Sequence, residues 1–415
     1  MYILALNCGS SSLKYQVFDA DSKKVVVGGN VEKIGLEDSF ITQKYPDGKK
    51  DKKVVKMMNH NEALSVVTQM LREASVDLNE IGGVGHRVVL GGEKFSHSVE
   101  INDEVMKKID ELSEIAPLHN PAALVGIVAA KQMLPNAKQV AVFDTAFYST
   151  MPDYAYRMPV PKAWYKELGV RKYGFHGTSH LYVSKRAADM LGKPAEQCNL
   201  ITLHIGSGAS AAAIKNGVAV DTSLGMTPVA GLVMGTRPGD LDTGVVIHVM
   251  KKLGLTPDQM QKHLNKDSGL KGITECYADR RDIEENKDTN DDCALAIKME
   301  ALGVKKYMGG FAFELGHVDA IVFTAGVGEN DDLLREKFCE GLEEFGIKLD
   351  KEANKNALAR KGVDEAVIST PDSKIKIFMI ATNEELVIVE DTIAIMNGTY
   401  NPDHLKMNYS FAKQR

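Results

Sequence analysis

The chain has 415 residues, 44% apolar and 26% charged, with a formal net charge of −6, so it reads as a soluble protein too long for one hydrophobic core, of two domains. Its charge gives no electrostatic ground for a nucleic-acid or membrane partner, and an anionic substrate would need locally placed Arg and Lys. Five unclustered cysteines fit reduced thiols in a cytoplasmic protein better than disulfides or zinc, no stretch approaches the roughly 20 apolar residues of a membrane span, and Met1 leads directly into a strand with no charged-then-apolar leader, so export is not expected.

In chain order, residues 2–6 read as a buried strand that ends at Asn7-Cys8-Gly9-Ser10-Ser11-Ser12. Residues 13–18 and 25–27 continue as strands about a tight turn at 19–22. Residues 40–60 read as an exposed hairpin or loop. Asn120-Pro121, an N-cap followed by proline, opens a helix to residue 133. Residues 139–143 form a strand ending at Asp144. Pro152, Pro159 and Pro161 place a domain boundary near residues 148–153. The domains expected are 1–150 plus 384–400, then 151–383, with 401–415 a polar tail, mobile or peripheral. Thr178 or Ser179 caps a helix through 191. Residues 200–205 start what looks like a second copy, with the turn His204-Ile205-Gly206-Ser207-Gly208-Ala209-Ser210. Strands 210–214 and 218–220 follow, joined by the hairpin signal Asn216-Gly217. Residues 242–253, 293–315, 331–345 and 384–396 are further helices, and 284–292 a polar helix start or loop. Strands 320–323 and 375–380 end at Thr324-Ala325-Gly326 and Thr382-Asn383-Glu384.

Two Gly/Ser turns about 200 residues apart, each after a strand, point to a duplicated fold that grips one polyphosphate from both sides. Polar residues gather where strands stop, the edge at which α/β sheets bind ligands. Asn7, Asp144 and Glu384 lie there and together suit a magnesium–nucleotide site; taken singly, the plainer reading is an Asx turn at Asn7, a helix cap at Asp144 and a helix start at Glu384. Arg87, in Gly85-His86-Arg87-Val88-Val89-Leu90-Gly91-Gly92, and Arg237, in Gly235-Thr236-Arg237-Pro238-Gly239-Asp240, offer planar donor forks for carboxylate or phosphoryl oxygens. The plainer reading of Arg237 is a salt bridge to Asp240. His119, His176 and His204 stand in Gly/Pro contexts. Zinc at His176 and His180 is disfavoured by Gly177 and by the lack of an intervening glutamate. His180 and His86 read as hydrogen-bonded packing histidines. Thr324 to Asn330 is neither a Walker loop nor a dinucleotide fingerprint, but it suits a nucleoside lying against backbone near a helix start.

Taken with Tyr173-Gly174-Phe175-His176-Gly177-Thr178-Ser179-His180, Phe143-Asp144-Thr145-Ala146-Phe147 and Thr382-Asn383-Glu384-Glu385, these motifs resemble the acetokinase family. That family lies within the acetate and sugar kinase/actin-like ATPase superfamily, and the resemblance covers residues 1–397. It implies an α/β fold of duplicated actin-like ATPase (ribonuclease H-like) domains with a nucleotide cleft between them. It implies reversible transfer of the ATP γ-phosphoryl group to acetate, giving acetyl phosphate and ADP, with Mg²⁺ (or Mn²⁺) and a homodimer. Arg87 and Arg237 would bind the acyl carboxylate and the phosphoryl group, which His176 would hydrogen-bond. Asp144 would orient Arg87 and the magnesium waters, and Asn7 and Glu384 would be the metal positions. Lys14, His204, Ile205, Gly206, Ser207, Gly208, Asp279, Arg280, Arg281, Gly326, Val327, Gly328, Glu329 and Asn330 would contact nucleotide. His119 would line the site, and Val89, Leu118, Phe175 and Pro228 would form a methyl pocket sized for acetate. Leu90, Glu275-Cys276-Tyr277 and Arg280 depart from the family's usual residues. The rival readings are a propionate or butyrate kinase, a pyrophosphate-dependent enzyme, and a non-metabolic actin-like ATPase, in which the two arginines would lack purpose.

Overall fold

The computed structural model describes residues 1–117 and 119–412, so Leu118 lies outside the described residues. The chain divides into two compact units: Met1–Ser149 with Asn383–Ser410, and Thr150–Thr382 with the segment that begins at Phe411.

Among the described residues the first unit holds one eight-stranded sheet. Its strands are β1 (Tyr2–Cys8), β2 (Ser12–Asp19), β3 (Val25–Glu32), β4 (Phe40–Lys44), β5 (Lys50–Val54), β6 (Ile81–Val88), β7 (Val99–Glu100) and β8 (Lys138–Phe143), in the order β5-β4-β3-β2-β1-β6-β8-β7. β1 and β2 are antiparallel, with Tyr2 opposite Asp19, whereas β1, β6 and β8 run parallel. Residues 40–60 therefore contribute a true hairpin to the sheet edge. One face is covered by helices His60–Glu73 and Asn120–Met133, whose Leu64, Val67, Ala129 and Ala130 pack on Leu4, Leu6, Leu13 and Val17. Helix Glu384–Met396 covers the other, with Ile388 and Val389 against Ile3, Ala5, Val140 and Val142.

β6 reads IGGVGHRV, a poor strand by propensity, and it was not visible as a strand in the sequence. The glycines are there for the helix. A Cβ on Gly85 would lie 2.5 Å from Cγ2 of Ile388, and one on Gly83 would collide with Met396. Glycine lets helix Glu384–Met396 settle directly on the strand backbone.

Two local expectations change. Asn120 is not the N-cap of its helix; His119 is. The fully buried Asn120 amide instead accepts from the Leu90 N–H at 3.1 Å and donates to the Leu90 carbonyl at 3.0 Å, fixing the chain just beyond β6. The chain after residue 400 is not a loose tail as far as Ala412. Met407, Tyr409 and Phe411 are buried, the Tyr409 hydroxyl donates to Asp391 at 2.8 Å, and the Ser410 N–H donates to Glu390 at 2.7 Å. Its apolar side chains, three among polar neighbours, hold it.

The second unit repeats the core. Its strands are β9 (Leu200–Ile205), β10 (Ala209–Lys215), β11 (Val218–Thr222), β12 (Ala320–Thr324), β13 (Glu365–Val367) and β14 (Lys376–Ile380), in the order β11-β10-β9-β12-β14-β13. β11-β10-β9-β12-β14 matches β3-β2-β1-β6-β8 in order and direction, two antiparallel pairs followed by two parallel ones. Asn216 and Gly217 both take positive φ, the two-residue turn that right-twisted hairpins favour. Helix Asp291–Leu315, capped by Asn290, runs for 25 residues. The helix expected over 331–345 stops at Cys339, because Glu340 turns extended and Gly341 takes φ +77°.

Candidate active site

In the first unit, three parallel strands deliver one side chain each at their C-terminal ends: Asn7 from β1, Arg87 from β6 and Asp144 just past β8. The start of helix Glu384–Met396 brings Glu384 to the same place. Arg87 is clamped by Asp144 in a fork, Nε to Oδ1 at 2.9 Å and Nη2 to Oδ2 at 2.5 Å. Its Nη1 lies 3.5 Å from Asn7 Oδ1, and its Nε lies 4.0 Å from Glu384 Oε2. Burial opposes the charge on Arg87, but the Asp144 and Glu384 carboxylates outweigh it and hold the group firmly cationic. Asp144 is fully buried, so its two oxygens serve to orient the guanidinium.

Asn7 and Glu384 offer an amide and a carboxylate oxygen, donors suited to a hard cation that keeps most of its waters. Among the described residues, no group of three or more His, Cys, Asp or Glu side chains forms a full metal cage. Val89, two residues beyond Arg87, is partly exposed, as is His119 at its helix cap. Lys14 pairs with Glu385, beside Glu384.

In the second unit, cationic and hydrogen-bonding side chains gather around Gly208. His176, the residue before helix Gly177–Leu191, takes the left-handed conformation at φ +57°, a strained setting for a side chain of that size. Neither Thr178 nor Ser179 caps that helix; the Ser179 hydroxyl is bonded to Nδ1 of His204 at 2.8 Å. A Cβ placed on Gly208 would lie 2.6 Å from Nη2 of Arg237 and 3.6 Å from Nε2 of His176, so both groups crowd one point on the turn.

Arg237 Nη1 donates to the Pro228 carbonyl at 2.5 Å. The Asp240 partner considered from the sequence is engaged elsewhere, accepting from the Gly231 N–H at 2.8 Å and the Tyr307 hydroxyl at 2.6 Å. Among the described residues no carboxylate pairs with Arg237, and burial alone draws its pKa down. A half-buried guanidinium held by a carbonyl is a cation awaiting an anion. Phe175 is buried beside His176 in sequence.

The same unit carries a cavity of about 780 Å³ lined by Gly206, Ser207, Gly235, Asp279, Arg280, Arg281, Gly326, Val327 and Asn330, with Glu284, Glu300 and Arg360. That is the size of a ligand site. Asp279 caps the following short helix and is clamped by Arg281, which holds its pKa near 2. Arg280 is buried, its Nε 2.9 Å from Glu300 Oε2. Burial pushes the Glu300 carboxyl up to about 7 against the pull of Arg280. His204, Ile205, Gly328 and Glu329 do not line this cavity. Ile205 is core, and Gly328 packs near Phe323 and Ile205. Glu329 accepts from the N–H groups of Ala325 at 2.8 Å and Thr382 at 2.9 Å, tying the ends of β12 and β14 together.

The sequence reading gave no role behind His176 to three polar residues there: Ser179 and Ser210, which it named only as a helix cap and a turn residue, and Thr202. Strand alternation was the available signal, since Thr202 and His204 share one face of β9 and Ser210 pairs with His204 across the ladder.

A strand core used twice, each copy with a Gly/Ser turn between its first two strands, defines the actin-like ATPase fold class. The profile of the acetokinase family matches residues 2–390. The acetate kinase of Geobacter sulfurreducens is 51% identical over 418 aligned residues, covering 100% of this chain and 99% of that protein. The solved acetate kinase of Porphyromonas gingivalis superposes with a TM-score of 0.89 at 46% identity, over 95% of this chain and 99% of that one. A propionate kinase from Francisella tularensis gives 0.88 at 37% identity, over 94% and 98%. The chain belongs to the acetokinase family.

Proposed function

We propose that this protein is an acetate kinase, which reversibly transfers the γ-phosphoryl group of ATP to acetate and yields acetyl phosphate and ADP. The observation that carries the reading is Arg237, a partly buried cation held by the Pro228 carbonyl beside His176 and the Gly208 turn. The full-length similarity to proteins named acetate kinase supports it.

Acetate is already an anion at neutral pH, so the reaction needs no general base. A carboxylate oxygen bonds to the γ-phosphorus as the bond from that phosphorus to the β,γ-bridging oxygen breaks, and ADP leaves with the electron pair. The protein's work is positioning, and neutralising charge on three equatorial oxygens. Arg87, locked by Asp144, and Arg237 meet the carboxylate and the phosphoryl group, and His176 donates a hydrogen bond to the latter. Val89, Leu118, Phe175 and Pro228 enclose the methyl group, with His119 nearby. Gly206, Ser207, Asp279, Arg280, Arg281, Gly326, Val327 and Asn330 hold the nucleotide, with Lys14 and the His204 turn in support. Asn7 and Glu384 would hold Mg²⁺, which would supply further neutralisation of the phosphates.

The same reading has two copies of the chain associate in the cytoplasm; a monomeric mass by light scattering would overturn the dimer. Among the described residues, no helix is long and apolar enough to cross a membrane.

Acetyl phosphate trapped with hydroxylamine tests the activity directly. ATP with acetate should give product at a kcat/KM above that for propionate or butyrate, and pyrophosphate should not replace ATP. Arg87→Ala and Arg237→Ala should each lose about two to four orders of magnitude in turnover. Near-normal turnover in both variants sinks the assignment.

A further inference from the structure

Behind His176 lies a chain of polar groups that the transfer reaction as described does not use. Thr202 Oγ1 is 2.6 Å from Nδ1 of His180. Nε2 of His180 is 2.8 Å from Oγ of Ser210, and that Oγ is 2.8 Å from Nδ1 of His176. Thr202, His180 and Ser210 are all fully buried. The order follows from the fold. Thr202 projects from β9, Ser210 from the adjacent strand β10, and His180 from the first turn of helix Gly177–Leu191, directly behind its cap His176.

Each hydroxyl carries one hydrogen, and each buried hydrogen needs an acceptor. For Ser210 the acceptors among the described residues are the two imidazoles, so it donates to one ring and accepts from the other. That leaves two registers. In one, Thr202 donates to Nδ1 of His180, His180 donates from Nε2 to Ser210, and Ser210 donates to Nδ1 of His176. Every hydrogen finds a partner. In the reverse register Nδ1 of His180 donates to Thr202, and the Thr202 hydrogen is left with no acceptor among the described residues. A buried donor left unmade costs about 1–3 kcal/mol, so the first register prevails. Burial also keeps His180 neutral, as either register requires.

The first register fixes the far end of the chain. With Nδ1 accepting, the proton of neutral His176 sits on Nε2, because the bond at one ring nitrogen decides the state of the other. Nε2 is the atom that faces Gly208 and Arg237. We infer that Thr202, His180 and Ser210 are positioning residues that lock His176 into its Nε2–H tautomer and so present the phosphoryl group with a neutral hydrogen-bond donor. His204, stacked on the His176 ring at 4.1 Å, keeps that ring in plane.

The inference rests on the role given to His176 under the proposed function, and its test separates the two. The whole enzyme, labelled with ¹⁵N-histidine and assigned with His176→Gln, reports the tautomer from its nitrogen shifts. The wild type should show a pyridine-type Nδ1 and a pyrrole-type Nε2 at His176. Ser210→Ala and the near-isosteric Thr202→Val should give mixed or reversed shifts, and Thr202→Ser should restore them. Turnover should fall about 10–100-fold in the first two variants with KM for both substrates little changed, and recover in Thr202→Ser. A wild-type His176 with its proton on Nδ1 overturns the inference, as does an unshifted pattern in Thr202→Val and Ser210→Ala. Normal turnover in His176→Gln would instead remove the catalytic role and leave the tautomer result standing.

Discussion

Gly208→Ala asks how tightly Arg237 is held in place. Gly208 does not sit at positive φ, so alanine brings no backbone strain. The added methyl would lie 2.6 Å from Arg237 Nη2, where ordinary contact is about 3.5 Å, so the guanidinium must retreat by about 1 Å. That retreat works against the 2.5 Å bond from Nη1 to the Pro228 carbonyl. The next loop is fixed as well, since the Gly235 N–H donates to the Ser207 carbonyl at 3.2 Å. A displacement of 1 Å at a charge-stabilising group costs about 100-fold in rate. Turnover by hydroxylamine trapping should drop by about that factor while the melting temperature holds, because no core contact is lost. Turnover within twofold of wild type would refute the claim that Arg237 acts from a fixed position over Gly208.

Three further outcomes are expected. Burial raises the Asp391 carboxyl to about 6 from 3.8, so the folded state holds its proton more tightly than the unfolded chain. Its contribution is full below about pH 4 and is lost as pH rises to about 6, worth about 3 kcal/mol. Asp391→Asn should therefore gain on the wild type by about that amount between pH 4 and 6.5 in urea melts, and an unchanged difference would contradict it. Gly309 and Gly310 are exposed inside the C-terminal third of helix Asp291–Leu315, with nothing within 4 Å of an added Cβ. Alanine at either should stabilise by about 0.5–1 kcal/mol, seen as a higher Tm; a lower Tm would show that the glycine has a packing role. Val89→Ala should move the kcat/KM ratio of propionate to acetate upward by about tenfold, and an unmoved ratio would take Val89 out of the acyl pocket.

What the sequence revealed followed from local chemistry. Helix Glu384–Met396 and strand β9 were legible to the residue, because an apolar run there meets a clear stop. The two Gly/Ser turns were legible because small residues after a strand have few other uses. β6 was hidden because its glycines answer a helix 300 residues away, which no window on the sequence contains. Asn120 looked like a cap by rule and is instead spent on Leu90, a tertiary partner. Arg237 with Asp240 looked like a salt bridge by proximity in sequence, and Tyr307 took the carboxylate. Ser210 was legible only as the end of the second Gly/Ser turn; its bonding lies in two imidazoles that only the folded chain brings to it.

The first unit is made from both ends of the chain, which sets an order on its birth. Ile3, Ala5, Val140 and Val142 are covered by Ile388 and Val389 from helix Glu384–Met396. A ribosome finishes the strands early and must then synthesise Thr150–Thr382 before the covering helix exists. At roughly 5–20 residues per second, one face of the nascent sheet stays bare for on the order of ten to fifty seconds. The inserted unit, contiguous but for the segment from Phe411, is synthesised in that interval. The part of the protein made first is thus the last to mature, and a premature stop near the 3′ end of the message would leave Arg87 on an unsealed, sticky sheet.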